Sequence, residues 1–419
     1  MAELGSCPEP ARTPGGDTPA GVMVGTLGAV PIRATKRGDE RGLLSGSYDA
    51  LICGASFAGL AAARELAGAG AEVMVLDRYE IGDRQTSACG IPTEWLRATG
   101  LMEAERQRFG SLLIHTPHGS SRFRLPWTFS TFDYRELCEL LWRDCDASFE
   151  TAAVRGLATP NGGGAIAVET DRGVLSSPLV VDALGWRRVL AAGYQPPDAP
   201  LSRGLEVHPA GSGEDLEVWI DRRYVPAGYG WCFPAGEELR IGVGSFDPRF
   251  HVRETTELLT GDLDRGRPGA DLAGQRQEYQ GNWIPHKLRS AVEGGVFFAG
   301  DSAGHCLPLT AEGIRTALYF GIALGRELRG VVEGRQSRER AAARYAAFHD
   351  SHERKFRWML RVQRLIPRVP PRLLGPLVRL LGAKRIVDWS FGHYLKIAPP
   401  ELAVDGAPNP HPGTVSTAS

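Results

Sequence analysis

Tyr48 to Asp77 constrains the fold more than any other stretch of the chain. Tyr48-Asp-Ala-Leu-Ile-Cys53 is a short apolar run, long enough for a buried parallel strand. Gly54-Ala-Ser-Phe-Ala-Gly59 follows at once. Leu60 to Ala69, rich in Ala, Leu, Arg and Glu, reads as a helix that Gly70 stops. Glu72-Val-Met-Val-Leu-Asp77 is a second apolar strand ending in an acid. The pattern is a βαβ unit with a phosphate turn in its middle. Gly54 permits a tight turn off the strand, and Gly59 lets the helix pack closely on it. The first-turn N–H groups of that helix, with its dipole, bind a pyrophosphate. Asp77, 23 residues after Gly54, stands where a carboxylate takes a ribose hydroxyl. Ser56 replaces the middle glycine of G-x-G-x-x-G and is small enough to leave the approach open. The reading is a dinucleotide site.

A second constellation repeats the arrangement. Val296-Phe-Phe-Ala is strand-like; Gly300-Asp301-Ser-Ala-Gly304-His305 follows; Pro308 to Gly313 opens a helical stretch reaching Leu328. Asp301 can accept from a sugar-chain hydroxyl, and Gly313 frees a helix N-terminus to face a phosphate or a ring carbonyl. Alone this is an ordinary αβ connection; paired with the first unit it is a second half of one site.

Composition removes other classes. The chain has 419 residues, 48 Lys+Arg against 49 Asp+Glu, and a formal net charge of −1. That balance gives no footprint for a dedicated nucleic-acid binder. No run of eighteen uninterrupted apolar residues suggests a membrane span. Glycine is in excess, 52 residues, without a triplet period, so loops or close backbone approaches must account for it. Seven scattered cysteines without a C-x-x-C pair argue against zinc ribbons and read as reduced thiols, with no metal expected. The N-terminus lacks the basic-then-apolar layout of a signal peptide, so the expected location is cytoplasmic. Residues 1–46, with nine Gly and five Pro, read as a disordered tail, as do residues 401–419.

The segments Tyr48–Asp77, Gly300-Asp301 and Pro308–Gly313 resemble the FAD-containing aromatic hydroxylase-like flavoproteins. Tyr229-Gly-Trp231-Cys-Phe233-Pro234, followed by Leu239-Arg-Ile-Gly-Val-Gly244, resembles the signature of one branch, the geranylgeranyl reductases; flavin halogenases carry Trp-x-Trp-x-Ile-Pro instead. On spacing alone this pair is equally an ordinary core hairpin. The resemblance covers about residues 47 to 330 and implies FAD rather than NAD. It implies a cofactor set of Gly54, Ser56, Ala58, Gly59, Asp77, Arg78, Arg84, Arg135, Gly300, Asp301 and Gly313. Substrate would meet Tyr229, Trp231, Phe233 and Pro234. The family's middle motif, Asp-Gly after a strand, departs here to Asp182-Ala-Leu-Gly185, with two residues inserted. The implied fold is α/β: a Rossmann-like FAD-binding domain (47–190 and 291–330), an inserted antiparallel β-sheet substrate domain (191–290) and a C-terminal helical region (331–400).

The implied reaction is reduction of a carbon–carbon double bond in a prenyl or similarly apolar substrate. It needs a hydride from reduced flavin and a proton from an acid, with water excluded. Cys89, Tyr229 and His305 are the candidate donors, and sequence does not choose between them. An FAD-dependent hydroxylase or halogenase acting on an aromatic small molecule is the alternative, although no lysine of the halogenase type stands beside the motifs. A flavin-binding protein without redox turnover is the third reading. No second G-x-G-x-x-G follows a strand, so the electron donor, NADPH or a reduced carrier, docks transiently. Ser337 to Val362 reads as one long helix. From Arg354 to Arg385 there are ten Lys/Arg and no acid, interleaved with Leu and Trp. That pattern suggests peripheral contact with anionic lipid, or else a solvated basic cap.

Overall fold

The computed structural model describes residues 42–85, 87–159, 164–193, 200–267, 271–275 and 278–404. Among them are three sheets and nine α-helices. The central sheet orders its strands Val292–Glu293, Val296–Phe298, Leu179–Asp182, Ala50–Cys53, Val73–Asp77 and Ser148–Thr151. All but the first are parallel to their neighbours. Ala-Leu-Ile-Cys and Leu-Val-Val-Asp are buried at every residue because both faces of this sheet are covered. Ala50, Ile52, Val73, Val75 and Val181 meet the helices α1 (Phe57–Glu65), α3 (Tyr134–Arg143) and α5 (Ile314–Val332). Leu51, Cys53, Met74, Leu76 and Val180 face the opposite way. They pack on Val168 and Leu175 from a four-stranded sheet of Leu44–Ser47, Gly173–Ser177, Ile166–Thr170 and Val154–Leu157.

Part of the glycine excess lies where helices meet. A Cβ on Gly321 would stand 2.5 Å from the Ala58 carbonyl oxygen, and one on Gly325 2.6 Å from Glu65 Cβ. The two glycines of α5 therefore let it lie directly against the alanine-rich face of α1, and together they carry the turn Gly54–Ser56 and the loop 300–313 to one end of the sheet.

The third sheet has eight strands, in the order Gln280–Pro285, Leu201–Val207, Leu239–Ser245, Gly228–Pro234, Leu216–Trp219, Glu105–Thr116, Gly119–Phe132 and Gly90–Pro92. The expected hairpin of 228–234 with 239–245 is present and antiparallel. The antiparallel domain expected as one insertion at 191–290 is not confined to those residues, however. Residues 90–132 supply three of its strands, and Leu216–Trp219 joins Glu105–Thr116 in parallel. The helix α4 (Arg253–Gly266) covers one face.

Other boundaries move as well. Residues 44–46, expected in the tail, belong to the strand Leu44–Ser47, parallel to Gly173–Ser177. Its sequence Leu-Ser-Gly-Ser holds one apolar residue, so no periodicity announces it. Residues 401–403, also expected in a tail, belong to a short 3-10 turn, Pro400–Ala403, that buries Leu402. Residues 1–41 and 405–419 lie outside the described residues. The predicted long helix from Ser337 is two, α6 (Arg338–Asp350) and α7 (Glu353–Leu365). Ser351 Oγ donates to the Phe348 carbonyl at 2.6 Å and His352 Nδ1 lies 2.9 Å from it. Two side chains thus compete for a carbonyl that would continue the helix. Beyond α7 come α8 (Pro371–Leu381) and α9 (Lys384–Leu395), packed on the strands 105–116 and 119–132 through Phe123, Val378 and Val387.

Candidate flavin and substrate site

The phosphate turn is built by close approach. Gly54 has φ +116°, and a Cβ there would stand 2.2 Å from the Ala183 carbonyl oxygen. A Cβ on Gly59 would stand 1.8 Å from the Gly54 oxygen. Only hydrogens fit at either place, so α1 starts hard against the strand end. No side chain caps α1, and its first turn holds no acid. Ser56 Oγ instead meets the Tyr134 hydroxyl at 3.2 Å. The N-terminus of α5, after Gly313, is likewise uncapped and free of acid. Two uncapped helix N-termini, one of them at a glycine-lined turn, suit a pyrophosphate.

Asp77 ends its strand by accepting from Ala55 N–H at 2.8 Å and Tyr79 N–H at 3.0 Å. Burial pushes its carboxyl up, against those bonds and Arg78. The guanidiniums of Arg78 and Arg84 lie 4.8 Å and 5.1 Å from the Tyr79 ring, and Arg84 also bonds the Tyr79 hydroxyl. Arg135 reaches Asp83 at 3.5 Å and backs onto Gly82. These three cations therefore surround the loop after the second strand.

Asp301 makes no side-chain hydrogen bond or ion pair among the described residues, and burial pushes its carboxyl up to about 7. An unpartnered, half-buried carboxyl beside the α5 N-terminus fits a hydroxyl-bearing chain such as the ribityl of FAD. The turn, the two helix ends and Asp301 together match the groups of that cofactor. Asp182, from the altered middle motif, holds the surrounding loops. It accepts from Ser302 Oγ at 2.6 Å, Leu184 N–H at 3.0 Å and Leu190 N–H at 2.8 Å.

His305 does not face this site. It is fully buried, its ring stacks on Phe320 with centroids 3.7 Å apart, and Nδ1 accepts from Gly300 N–H at 3.0 Å. It ties the Gly-Asp loop shut from inside the core and is withdrawn as a proton donor. His349 and His352 lie beside it, also buried. Burial pushes all three below the ordinary 6.5, His352 to about 4. The unfolded chain takes protons near 6.5 while the folded one refuses them. The histidine contribution is therefore intact above about pH 6.5 and lost as pH falls toward 4. Thermal melts from pH 7 to 4.5 are expected to show this fall, with a shallower slope in His352→Gln.

On the strand 228–234, Tyr229, Trp231 and Phe233 share one face. Opposite them on the neighbouring strand stand Gly244, Gly242 and Arg240. The Trp231 indole lies over these glycines; a Cβ on Gly242 would be 2.3 Å from it. Its Nε1 donates to Glu206 at 3.3 Å. Pro234 points the other way, against Gly213, which places it outside the aromatic face. Its assignment as a substrate contact is corrected by the alternation of the strand. The Tyr229 hydroxyl donates to the Thr310 carbonyl at 2.6 Å, which joins the aromatic face to the loop before α5.

Cys89 is fully buried with φ 52°, and its sulfur donates to the Ser87 carbonyl at 3.1 Å. Burial holds the thiol well above its ordinary range, with the Arg240 guanidinium acting against that. Sequence reasoning missed Arg240. It is buried and donates to the carbonyls of Ala88 at 3.0 Å and Phe132 at 2.8 Å, fixing the cysteine loop to the aromatic sheet. A charged residue inside an alternating strand reads as solvent-facing unless its partners are known. A cleft of about 420 Å³ opens nearby, lined by Pro200, Leu201, Ala227, Phe246, Asp247, Pro248, His286, Gln363, Arg364, Pro367 and Arg368. Phe246 stands edge-on to Tyr229, centroids 6.1 Å apart. Among the described residues no cluster of three or more His, Cys, Asp or Glu is placed to hold a metal ion.

No family model matches the chain. It is 23% identical over 364 residues to digeranylgeranylglycerophospholipid reductase 2 of Methanopyrus kandleri, covering 81% of this chain and 92% of that protein. A geranylgeranyl bacteriochlorophyll reductase-like protein of Thermoplasma acidophilum superposes with a TM-score of 0.72 at 16% identity, over 85% of this chain and 98% of that one. The p-nitrophenol 4-monooxygenase of Pseudomonas putida superposes with 0.66 at 14% identity, over 85% and 99%. The fold is that of the Rossmann-type flavoproteins, and the sequence is similar to the geranylgeranyl reductases.

Proposed function

From that similarity and the site's construction, we propose that the chain is an FAD-dependent oxidoreductase that reduces carbon–carbon double bonds of a prenyl or similarly apolar substrate. The observation that carries the reading is the junction at Thr310. There the aromatic face of the strand 228–234 is bonded to the loop that leads into the uncapped α5 helix beside Asp301. An apolar slot thus borders the groups that fit FAD. Gly54, Gly59, Gly300, Asp301 and Gly313 would hold the cofactor, with Ser56, Ala58, Asp77, Arg78, Arg84 and Arg135 on its adenosine and phosphate side. FAD, when bound and reduced by an external donor, would supply the hydride to one alkene carbon.

The chain's own part is orientation and the proton. Buried Trp231 and half-buried Phe233 would align the alkene and help keep water from it. Cys89, protonated at neutral pH, suits donation to the second carbon, and Arg240 would steady the thiolate left behind. Tyr229 is the other retained donor. Cys89→Ser is expected to slow turnover at least about tenfold while the visible flavin spectrum is unchanged. Unaltered turnover would remove Cys89 from the reaction and leave Tyr229. The electron donor, NADPH or a reduced carrier, would dock transiently.

Two measurements test the reading. The purified protein should carry flavin, or take it up when FAD is added; a colourless protein that takes up none would end the proposal. Photoreduced protein should then be reoxidised under argon by geranylgeranyl lipids. Reoxidation by oxygen alone, with an aromatic product gaining a hydroxyl, would make it a hydroxylase instead.

A further inference from the structure

Seven of the twelve large apolar side chains exposed among the described residues lie between Trp358 and Trp389. On α8, Leu373, Leu377, Leu380 and Leu381 recur at i, i+4, i+7 and i+8 and form one outward stripe, while Gly375 and Val378 face the sheet. Trp358 and Leu365 lie seven residues apart on α7, and Trp389 is 64% exposed on α9. A helix already packed on one side has no folding reason to present leucines on another. Arginines flank the stripe. Arg354, Arg361, Arg364, Arg368, Arg372, Arg379 and Arg385 are exposed, and among the described residues none pairs with an acid, whereas Arg357 pairs with Glu353 and Lys384 with Asp388. Unneutralised cations around exposed leucines and tryptophans complement one surface, that of anionic lipid. No helix of the described residues is long and apolar enough to cross a membrane, which leaves contact in the plane of the interface.

We propose that α7, α8 and α9 seat this protein on an anionic bilayer, the α8 leucines entering the acyl boundary and the flanking arginines binding lipid phosphates. This deepens the reading of the site as one for a lipid chain, and it gives that chain an entrance. Arg364 and Arg368 line the 420 Å³ cleft, with exposed Leu365 between them in sequence. Gln363, on the same turn, accepts from Leu309 N–H at 2.6 Å in the loop before α5. The cleft therefore runs from the docking helices toward the Tyr229 side of the site.

Flotation of the full chain tests the proposal independently of any reductase assay. Vesicles of phosphatidylcholine alone are compared with vesicles that also contain phosphatidylglycerol. At least about tenfold more protein should float with the anionic vesicles, and high salt should reduce it. Combined Arg361→Glu, Arg364→Glu and Arg368→Glu should lower partition at least about a hundredfold. Leu377→Asp with Leu380→Asp should do the same, each variant keeping its thermal melt. Trp389→Phe should shrink a blue shift of the emission on vesicle addition. Equal flotation with both vesicles, or no loss in the charge-reversed variant, overturns the proposal. So does self-association in solution that the leucine variant abolishes, which would assign the stripe to a second copy. A protein that floats but takes up no flavin would sink the reductase reading and leave the docking surface standing.

Discussion

Gly59→Ala is expected to abolish retention of FAD, with affinity at least about a hundredfold weaker. The added methyl would lie 1.8 Å from the Gly54 carbonyl oxygen, far inside any real contact, and that oxygen is backbone. Relief requires α1 to move off the strand 50–53. The same movement carries its N–H groups away from the phosphate position and pulls against Gly321 and Gly325 of α5. Gly261→Ala, in the middle of α4 and 3.6 Å from only a flexible arginine tip, is the control. It should stabilise the protein by about 0.5–1 kcal/mol and leave the flavin bound. Absorbance at the flavin band after gel filtration, with a melt for each variant, reads both. Full flavin content in Gly59→Ala would mean that the turn is not the phosphate cradle.

Asp301→Asn is expected to have opposite effects on cofactor binding and apoprotein stability. The folded carboxyl is pushed up to about 7 by burial, against 3.8 ordinarily. Between about pH 4 and 7 the unfolded chain has released this proton and the folded chain has not. Raising the pH through that window therefore costs stability, and the full cost stands above pH 7. Asparagine removes it. The apo variant should be more stable than the parent by about 2–4 kcal/mol at pH 8 and indistinguishable at pH 4. Its FAD affinity should fall about 10- to 100-fold, because a charge-assisted bond to a cofactor hydroxyl is lost. Melts of both apoproteins at the two pH values, with a flavin titration at pH 8, measure all three. An equal stability difference at both pH values would show that Asp301 is ionised like a surface acid.

The parts of this molecule legible from sequence are those where backbone geometry dictates residue type. Strands 50–53 and 73–77, both glycine turns and the 228–245 hairpin stand where the residues put them, because continuous apolar runs and required glycines leave few options. The hairpin 105–132 was not legible. Its strands mix Arg, Gln, His and Ser with apolar residues, since its faces meet both water and the α8–α9 cover, and two register shifts break the alternation. The break between α6 and α7 carries neither glycine nor proline; it comes from side-chain competition at Phe348. At the candidate site, spacing pointed to the Gly54–Gly59 turn and Asp77, whereas the aromatic segment rested on its resemblance to the reductase signature. Arg240 and the inward turn of His305 depended on partners more than a hundred residues away or on core packing, which spacing does not encode.

The order of strands in the central sheet has a consequence for synthesis. Leu179–Asp182 pairs on one side with Ala50–Cys53, made about 130 residues earlier, and on the other with Val296–Phe298, made more than 110 residues later. A nascent chain that has not reached residue 298 carries an unpaired edge on a strand whose residues, Leu-Val-Val-Asp, are all buried in the finished fold. The helix α5 that roofs α1 is still missing at that stage. Chains truncated before α5 are therefore expected to aggregate or to recruit holding chaperones, and a cofactor held by the loop 300–313 could be captured only after that loop has been made.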